Sequence, residues 1–223
     1  MKEVIPVQQK VLSKNEQLAN GLAAVFAEKG LFVLNIISSP GSGKTSLLER
    51  LLPLLRPDLR CGVLEGDVQT ENDAIRIARA GVPVHQIITC GTCHLDAQMV
   101  SEHLVHLPLD EMDVLFIENV GNLVCPSSYN LGEDARIVLL STTEGDDKPL
   151  KYPAAFRKAT VLVVNKTDLL GLSDFDLDRA VSHAQGINPE LVVFPVSCRT
   201  GEGLEALAAW IRTETGRKKR LSD

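Results

Sequence analysis

The chain has 223 residues, of which 44% are hydrophobic and 4% aromatic, and its formal net charge is -6. A chain of this length can bury one large core, so we expect one main domain with small appendages. The acidic balance argues against a nucleic-acid partner, because such binding draws its affinity from basic surface. The first residues lack the apolar core of a signal peptide, and no apolar run reaches membrane-spanning length, so we expect a cytoplasmic protein with no membrane partner.

The first predicted element is a helix. Ser13-Lys-Asn-Glu16 resembles a capping box, and apolar residues follow it at helical spacing as far as Lys29, with Gly30 as the stop. We therefore expect residues 1–30 to form a helical extension packed on a main domain at residues 31–214. Residues 215–223 contain a dense basic run and are expected to form a solvated tail.

A phosphate-binding loop is predicted next. An apolar run, 31–37, leads into Ser-Ser-Pro-Gly-Ser-Gly-Lys-Thr at 38–45, and a helical pattern follows. A Gly-rich loop between a strand and a helix directs backbone N–H groups at phosphate oxygens, while its Lys reaches the β- and γ-phosphates and its hydroxyl binds Mg²⁺. Ser38 replaces the first glycine of the usual pattern, which requires ordinary backbone torsions there. The predicted phosphate-binding residues are Pro40, Gly41, Ser42, Gly43, Lys44, Thr45 and Ser46, with Lys44 also assigned a catalytic role.

A second strand at 59–64 is followed by Glu65-Gly-Asp67, where a switch loop would face the γ-phosphate. We favour Asp67 over Glu65 as the residue that orients the attacking water or joins the Mg²⁺ ligands. A solvated loop carboxylate is the alternative. A helix from Thr70 to Ala80, ended by Gly81, and a strand at 84–89 come next.

Cys90-Gly-Thr-Cys93-His94 follows that strand, and Cys125 lies further along the chain. Five cysteines, an odd number in a reducing compartment, are not a disulfide framework. Thiolate and imidazole together suit Zn²⁺ or Ni²⁺, whereas haem attachment would need export. On spacing alone, ordinary semi-buried cysteines remain the favoured alternative. In the helix predicted at 95–107, His103 and His106 are assigned surface or packing roles.

Two further strands end in polar motifs. The strand at 114–117 ends in Glu118-Asn-Val-Gly121, so Glu118 can hold Mg²⁺ and act in catalysis while the Gly121 N–H meets the γ-phosphate. The strand at 161–164 ends in Asn-Lys-Thr-Asp, whose carboxylate can accept hydrogen bonds from guanine but not from adenine. A polar turn is the alternative for this second motif. The predicted guanine-site residues are Asn165, Lys166, Asp168, Ser197, Cys198 and Arg199.

The remaining pattern completes the fold prediction. Apolar runs at 137–140 and 191–194 read as strands, and helical patterns lie at 154–158, 175–185 and 204–213. Strands that are apolar on both faces and alternate with helices indicate a mostly parallel sheet covered on both sides. The predicted class is therefore α/β, a three-layer αβα P-loop NTPase with an additional N-terminal helix.

The motifs together resemble the HypB family of hydrogenase nickel-incorporation GTPases. The resemblance rests on the phosphate loop, Glu-Gly-Asp-Val-Gln-Thr, Cys-His-Leu-Asp-Ala, Ile-Glu-Asn-Val-Gly-Asn-Leu-Val-Cys-Pro and Asn-Lys-Thr-Asp, in that order. It implies a G domain with low-turnover, Mg²⁺-dependent GTP hydrolysis, nucleotide-dependent homodimers, and nickel or zinc bound by Cys93, His94 and Cys125. It also implies two partners, a nickel-binding accessory maturation protein and the precursor of the hydrogenase large subunit.

Several departures from the family pattern matter. The N-terminal segment lacks the His-rich or Cys-rich extension of many members, so nickel storage is not expected. Gln98 and Glu102 stand where some relatives supply histidines, which argues against a second metal there. Cys90 is an optional ligand or a bystander.

The predicted mechanism is a nucleotide-gated metal site. Because Cys125 follows the γ-phosphate-sensing segment at 118–121 so closely, GTP hydrolysis to GDP should move one metal ligand. Paired ligand sets in a dimer would then hold nickel in one nucleotide state and release it in another. A urease accessory G protein is one alternative, although Thr92-Cys93-His94 lacks the proline of the usual Cys-Pro-His motif. The other alternative is a nucleotide-dependent interaction module in which metal is incidental.

Overall fold

A computed structural model of the chain describes residues 7–69 and 72–222. Its strands form one parallel sheet in the order β3-β2-β4-β1-β5-β6-β7. The strands are β1 (Phe32–Ser38), β2 (Cys61–Asp67), β3 (Val84–Ile88), β4 (Val114–Glu118), β5 (Ala135–Ser141), β6 (Val161–Asn165) and β7 (Val192–Pro195). The predicted sheet is confirmed, and each strand lies within three residues of its predicted bounds.

Helices connect the strands and cover both faces of the sheet. They are α1 (Val7–Glu28), α2 (Lys44–Leu55), α3 (Asn72–Ala78), α4 (Ala97–His103), α5 (Lys148–Lys151), α6 (Pro153–Arg157), α7 (Leu177–Ile187) and α8 (Leu204–Ser222). Short 3-10 turns lie at 104–106, 109–111, 126–128 and 167–169. Within the described residues, no helix combines the length and apolarity needed to cross a membrane. Thr70 and Glu71, where we predicted α3 to begin, lie outside the described residues.

The three layers follow from the alternation of side chains along buried strands. Leu34 and Ile36 of β1 pack with α2 and α8 in one core, whereas Val33 faces the opposite layer beside α1 and α4. Ile37 also faces that opposite layer, where it packs with α6 and α7. The three-layer αβα class and the N-terminal helix are therefore confirmed.

The predicted start of the first helix is wrong, because α1 begins at Val7 and Ser13 lies inside it. The polar side chain of Asn15 explains the misleading pattern. It is 6% exposed, donates to the Asn130 carbonyl at 2.9 Å and accepts from the Ala97 backbone N–H at 2.8 Å. It therefore fixes α1 to the start of α4 by a tertiary contact instead of capping a helix.

The predicted end of the last helix is also wrong, because α8 continues from Thr213 to Ser222. The basic residues there are not simply solvated. Lys219 Nζ donates to Asp113 Oδ1 at 2.8 Å. Burial disfavours the ionised Asp113, but hydrogen bonds from Arg60 and Lys219 outweigh it and hold the pKa of Asp113 well below its usual range. The division at residues 30 and 214 stays a prediction, and residues 1–6 and 223 of its outer segments lie outside the described residues.

The topology gathers the polar strand ends at one edge of the sheet. All strand pairs are parallel, so the carboxyl ends of β1, β2, β4 and β6 lie side by side. These ends carry the phosphate loop, the Glu65 to Asp67 segment, Glu118 and Asn165. Crevices at this edge are where open α/β sheets bind ligands.

Candidate functional site

The phosphate loop has the backbone geometry that the sequence requires. Gly41 has a φ of 76° and Gly43 a φ of 102°, which glycine adopts without steric cost. A Cβ at Gly43 would lie 2.5 Å from Asn165 Nδ2, so that position also needs glycine for space. Ser38 ends β1 in extended backbone, as its place in the motif requires, and its Oγ lies 3.3 Å from Lys44 Nζ.

The loop is braced by residues that the sequence analysis missed. Glu144 Oε1 accepts from Ser42 Oγ at 2.6 Å, and Lys148 Nζ donates to Ser39 Oγ at 3.1 Å. Lys148 also pairs with Glu144 at 3.1 Å. Their spacing of four residues after β5 resembled an ordinary helical ion pair, so sequence alone gave no reason to place them at the loop.

A buried carboxylate cluster lies beside the loop. Thr45 Oγ1 donates to Glu118 Oε1 at 2.9 Å, and carboxylate oxygens of Glu65, Asp73 and Glu118 lie within 4.8 Å of one another. Glu65 Oε2 and Glu118 Oε2 are buried and have no hydrogen-bond partner among the described residues. Two such oxygens beside a threonine hydroxyl match the hard oxygen ligands that Mg²⁺ prefers.

The electrostatics of the cluster also favour a cation. Burial, and then the charge of Glu118, raise the pKa of Glu65 to about 8. Burial raises the pKa of Glu118 to about 7, although Lys44 and the Thr45 hydrogen bond act in the opposite direction. Carboxyl groups that resist ionisation when alone gain the most from a neighbouring divalent charge.

The structure brings Glu65, and not Asp67, into direct register with Glu118 across β2 and β4. Asp67 lies at the end of β2, half-exposed, and its Oδ1 accepts from the Val68 backbone N–H at 2.7 Å. Its charge contributes to the raised pKa of Glu65. The role of Asp67 stays a prediction, while Glu65 and Asp73 join the candidate set. The position of Glu65 inside an otherwise apolar strand is the sequence feature that could have identified it as a site residue.

A cavity of about 440 Å³ opens beside the phosphate loop and contains most of the predicted guanine-site residues. Buried Asn165 joins its walls, because Nδ2 donates to the Ser42 carbonyl at 2.9 Å and Oδ1 accepts from the Cys198 N–H at 3.2 Å. Asp168 Oδ1 accepts from Ser197 Oγ at 2.6 Å, so Ser197 lies behind the wall and positions the carboxylate. The lining residues are Gly41, Gly43, Ser46, Glu49, Arg50, Asn165, Lys166, Asp168, Leu169, Cys198 and Arg199.

Cys125 lies close to the adjacent pair Cys93 and His94, from which it is distant in sequence, and the three form a compact metal-ligand set that we call the Cys-His trio. Their ligand atoms lie within 4.8 Å of one another, with Cys93 Sγ 4.0 Å from His94 Nδ1. The hydrogen bond with Cys93, and then burial, raise the pKa of the Cys125 thiol. Cys90 lies outside the trio, on an exposed turn with a φ of 50°.

Tyr129 supports the trio, which the sequence analysis did not foresee. Its ring stacks on His94, with centroids 3.9 Å apart and an interplanar angle of 29°. Burial lowers the pKa of His94 and so favours the neutral imidazole, which is the form that binds metals.

Residues 119–122 connect the carboxylate cluster to the trio. Asn119 follows Glu118, and its Oδ1 accepts from the Leu95 N–H, next to His94, at 3.0 Å. Asn122 Nδ2 donates to the Cys93 carbonyl at 3.4 Å. A Cβ at Gly121 would lie 3.1 Å from Pro40 Cα, so the same segment packs on the phosphate loop.

The chain is similar to known proteins of one family. Residues 32–195 match the family model of the CobW/HypB/UreG nucleotide-binding domain. "Hydrogenase maturation factor HypB" of Escherichia coli K12 is 46% identical over 96% of this chain and 73% of its own length. "Hydrogenase/urease maturation factor HypB" of Helicobacter pylori J99 is 44% identical over 92% of this chain and 85% of its own length.

One solved structure has a similar fold over nearly the whole of both chains. The crystal structure of Helicobacter pylori HypB in complex with nickel has a TM-score of 0.88 and 41% identity, and covers 92% of this chain and 97% of its own.

The raised pKa of Glu65 predicts a pH-dependent gain in stability for Glu65→Gln. In the folded protein the Glu65 carboxyl group stays protonated up to about pH 8. In the unfolded chain it loses its proton near the ordinary glutamate pKa of about 4.3. Native Glu65 therefore binds more protons between these values, and its presence lowers the free energy of unfolding as pH rises from 5 to 8. In protein free of metal and nucleotide, Glu65→Gln should be on the order of 4 kcal/mol more stable than wild type at pH 8.

Urea unfolding at pH 5 and pH 8 checks this prediction, with exposed Glu102→Gln as the matched control. The control should behave like wild type at both values. A gain for Glu65→Gln that is the same at both pH values would contradict the prediction.

Proposed function

The chain belongs to the HypB family, and from that membership we propose that it is a GTP-hydrolysing metallochaperone that binds nickel and delivers it during maturation of nickel-iron hydrogenase. One observation carries the proposal. The segment from Glu118 to Cys125 contacts the phosphate loop through Gly121 and contributes directly to the Cys-His trio. A change at the γ-phosphate therefore has a short physical route to a metal ligand.

The nucleotide site supports hydrolysis of GTP. Lys44 and the backbone N–H groups of the loop bind the β- and γ-phosphates at the N-terminus of α2. Thr45, Glu118 and Glu65 would hold Mg²⁺, which neutralises phosphate charge when bound. Asp67, at the open end of β2, is the proposed residue that orients the attacking water. Asp168, held by Ser197, recognises guanine.

The metal site supports nickel as the ion that is delivered. The same three residues can also bind zinc. Two thiols and one imidazole supply soft and borderline donors, which suit both ions. The set offers three protein ligands and leaves room for exchange with a partner. We propose that the trio binds nickel in one nucleotide state and passes it on in the other.

Dimerisation and the partners complete the proposal. Val124 is 57% exposed beside Cys125, so a second copy of the chain has an apolar contact next to the trio. In a nucleotide-dependent homodimer, two trios would then face each other. The proposed partners are an accessory nickel-binding maturation protein, which supplies the ion, and the hydrogenase large-subunit precursor, which receives it.

Urease is a second candidate recipient, because the Helicobacter pylori relative is named for both hydrogenase and urease maturation. The relative from Escherichia coli is named for hydrogenase alone. The chain also lacks the proline of a Cys-Pro-His motif. We therefore retain hydrogenase as the main recipient and include urease activity in the test below.

Guanine recognition predicts a loss of GTP affinity in Asp168→Asn. A carboxylate can accept two hydrogen bonds from the base, whereas the asparagine amide can accept through only one oxygen. Its NH₂ group would face an N–H group of guanine, so both would be donors. GTP binding should therefore weaken at least about 100-fold. Titration with a fluorescent GTP analogue measures the change. Asp178→Asn, on the exposed face of α7, is the matched control and should bind like wild type. Equal binding by the two variants would refute the assignment of Asp168.

Metal delivery predicts that Cys93→Ser and Cys125→Ser abolish maturation. Serine replaces the soft thiolate with a hydroxyl, which binds nickel and zinc poorly. Hydrogenase and urease activities are measured in cells whose own maturation gene is deleted and replaced by each variant. Cys90→Ser lies outside the trio and should sustain wild-type activity. Wild-type activity in the Cys93 and Cys125 variants would favour the interaction module with incidental metal.

The proposed gate predicts that nickel affinity differs at least about fivefold between the GDP and GTP-analogue states. Asn119→Ala should reduce that difference, because the side chain connects Glu118 to the residue after His94. Asn188→Ala likewise removes an asparagine that hydrogen-bonds to the backbone, in this case by donating to the Phe156 and Ala159 carbonyls where α7 meets α6. It should keep the wild-type difference. Calorimetric nickel titration measures each state. Equal affinities in the wild type would remove the gate, since a ligand shifts an equilibrium only by differential binding.

A further inference from the structure

A second group of potential metal ligands lies away from the trio. His85, His103 and His106 place one ring nitrogen each within 4.8 Å of the others, and we call them the His cluster. His85 is on β3, which is one of the two edge strands of the described sheet. His103 ends α4, and His106 ends the 3-10 turn that follows. Three of the five histidines of the chain therefore meet at one place.

The His cluster and the Cys-His trio occupy opposite ends of one unit. The turn that joins β3 to α4 carries Cys93 and His94. His85 lies near the start of β3 and His103 at the end of α4, both remote from that turn. A helix of this length spans about 10 Å at 1.5 Å per residue, so one ion cannot be shared between the two groups.

The three rings lie close together, and a hydrogen bond joins two of them. His85 Nε2 lies 2.8 Å from His103 Nδ1, so one of these nitrogens donates and the other accepts. The His106 ring stacks on His85, with centroids 4.3 Å apart and an interplanar angle of 25°. In a tetrahedral site with Zn–N bonds of 2.0–2.1 Å, ligand nitrogens are about 3.3 Å apart. The His85–His103 distance is shorter than this and all three nitrogens lie within 4.8 Å of one another, so the rings must turn for all three to bind one ion.

The surroundings of His85 favour the form that binds metal. Burial, followed by the charges of His106 and His103, lowers the pKa of His85. A neutral imidazole is a good ligand for borderline divalent ions. An ion at this point would replace the proton between His85 and His103.

We infer that the His cluster is a second transition-metal site, which binds Zn²⁺ or Ni²⁺ through three imidazoles. Three protein ligands leave a coordination position for water or for a donor from another molecule. His106 is exposed, so the ion can enter and leave from solvent. The bound ion ties the edge strand to the end of α4 and so braces the unit that carries Cys93 and His94.

The test uses a full-length background in which the trio is removed by Cys93→Ser, His94→Gln and Cys125→Ser. The only histidines left are the His cluster and His183, which contacts the Asp146 carbonyl. Titration with Zn²⁺, and separately with Ni²⁺, should show one bound equivalent. His103→Gln or His106→Gln should weaken that binding at least about tenfold, since changes merely next to a ligand cost 10–100-fold. His183→Gln should bind like the background.

Absorption of the Co²⁺-substituted protein identifies the donors. The His cluster predicts no thiolate-to-metal charge-transfer band, whereas such a band would show binding by a remaining cysteine and overturn the inference. Binding of less than one equivalent, or equal weakening in His103→Gln and His183→Gln, would also overturn it. Because the trio is absent and delivery is not measured, the result does not depend on the proposed function. Circular dichroism checks that each variant is folded. If His103→Gln does not fold, His106→Gln, at an exposed position, replaces it in the test.

Discussion

The hydrogen bond from Thr45 to Glu118 is the contact around which the site is arranged. It joins the first turn of α2 to the end of β4, which lies between β2 and β1 in the sheet, and it keeps one carboxylate oxygen satisfied inside the protein. The second oxygen of Glu118 and one of Glu65 are buried and have no hydrogen-bond partner among the described residues, and these are the oxygens proposed to hold Mg²⁺. The same hydrogen bond helps to fix the position of residues 119–122, because they continue directly from β4.

That segment lies between two chemically different sites. Its backbone packs closely against Pro40, its Asn119 side chain holds the Leu95 N–H, and Asn122 holds the Cys93 carbonyl. Asn119 also donates to Asn35 Oδ1 at 3.2 Å, which fixes it against the neighbouring strand β1. In the proposed gate, a displacement of this segment would therefore move the turn that carries Cys93 and His94.

The sequence predicted those parts of the site whose residues lie close together along the chain. The phosphate loop and Asn165 to Asp168 each combine a buried strand with a local motif, and their positions in the structure agree with that reading. The roles of Glu65 and Asp73 depend on strand register and on where α3 docks, which no local pattern encodes. His85 was unremarkable in sequence for the same reason, since only the fold places it beside His103.

Local patterns also misled where tertiary contacts took over. Ser13 to Glu16 has the spacing of a capping box, yet the polar group that matters there is Asn15, which is bonded to the start of α4. The basic end of α8 looked like a tail because its partners, Asp113 among them, lie about a hundred residues earlier. In both cases a polar residue read as exposed is held by a distant part of the chain.

The close approach of Gly43 to Asn165 has an evolutionary consequence. A single added methyl group at Gly43 would meet the amide that also joins the Ser42 carbonyl to the Cys198 N–H. The phosphate loop and the base pocket therefore cannot diversify separately. A change at Asn165 would alter the phosphate loop and the wall of the neighbouring cavity at the same step, so inheritance of the two motifs is expected to be joint.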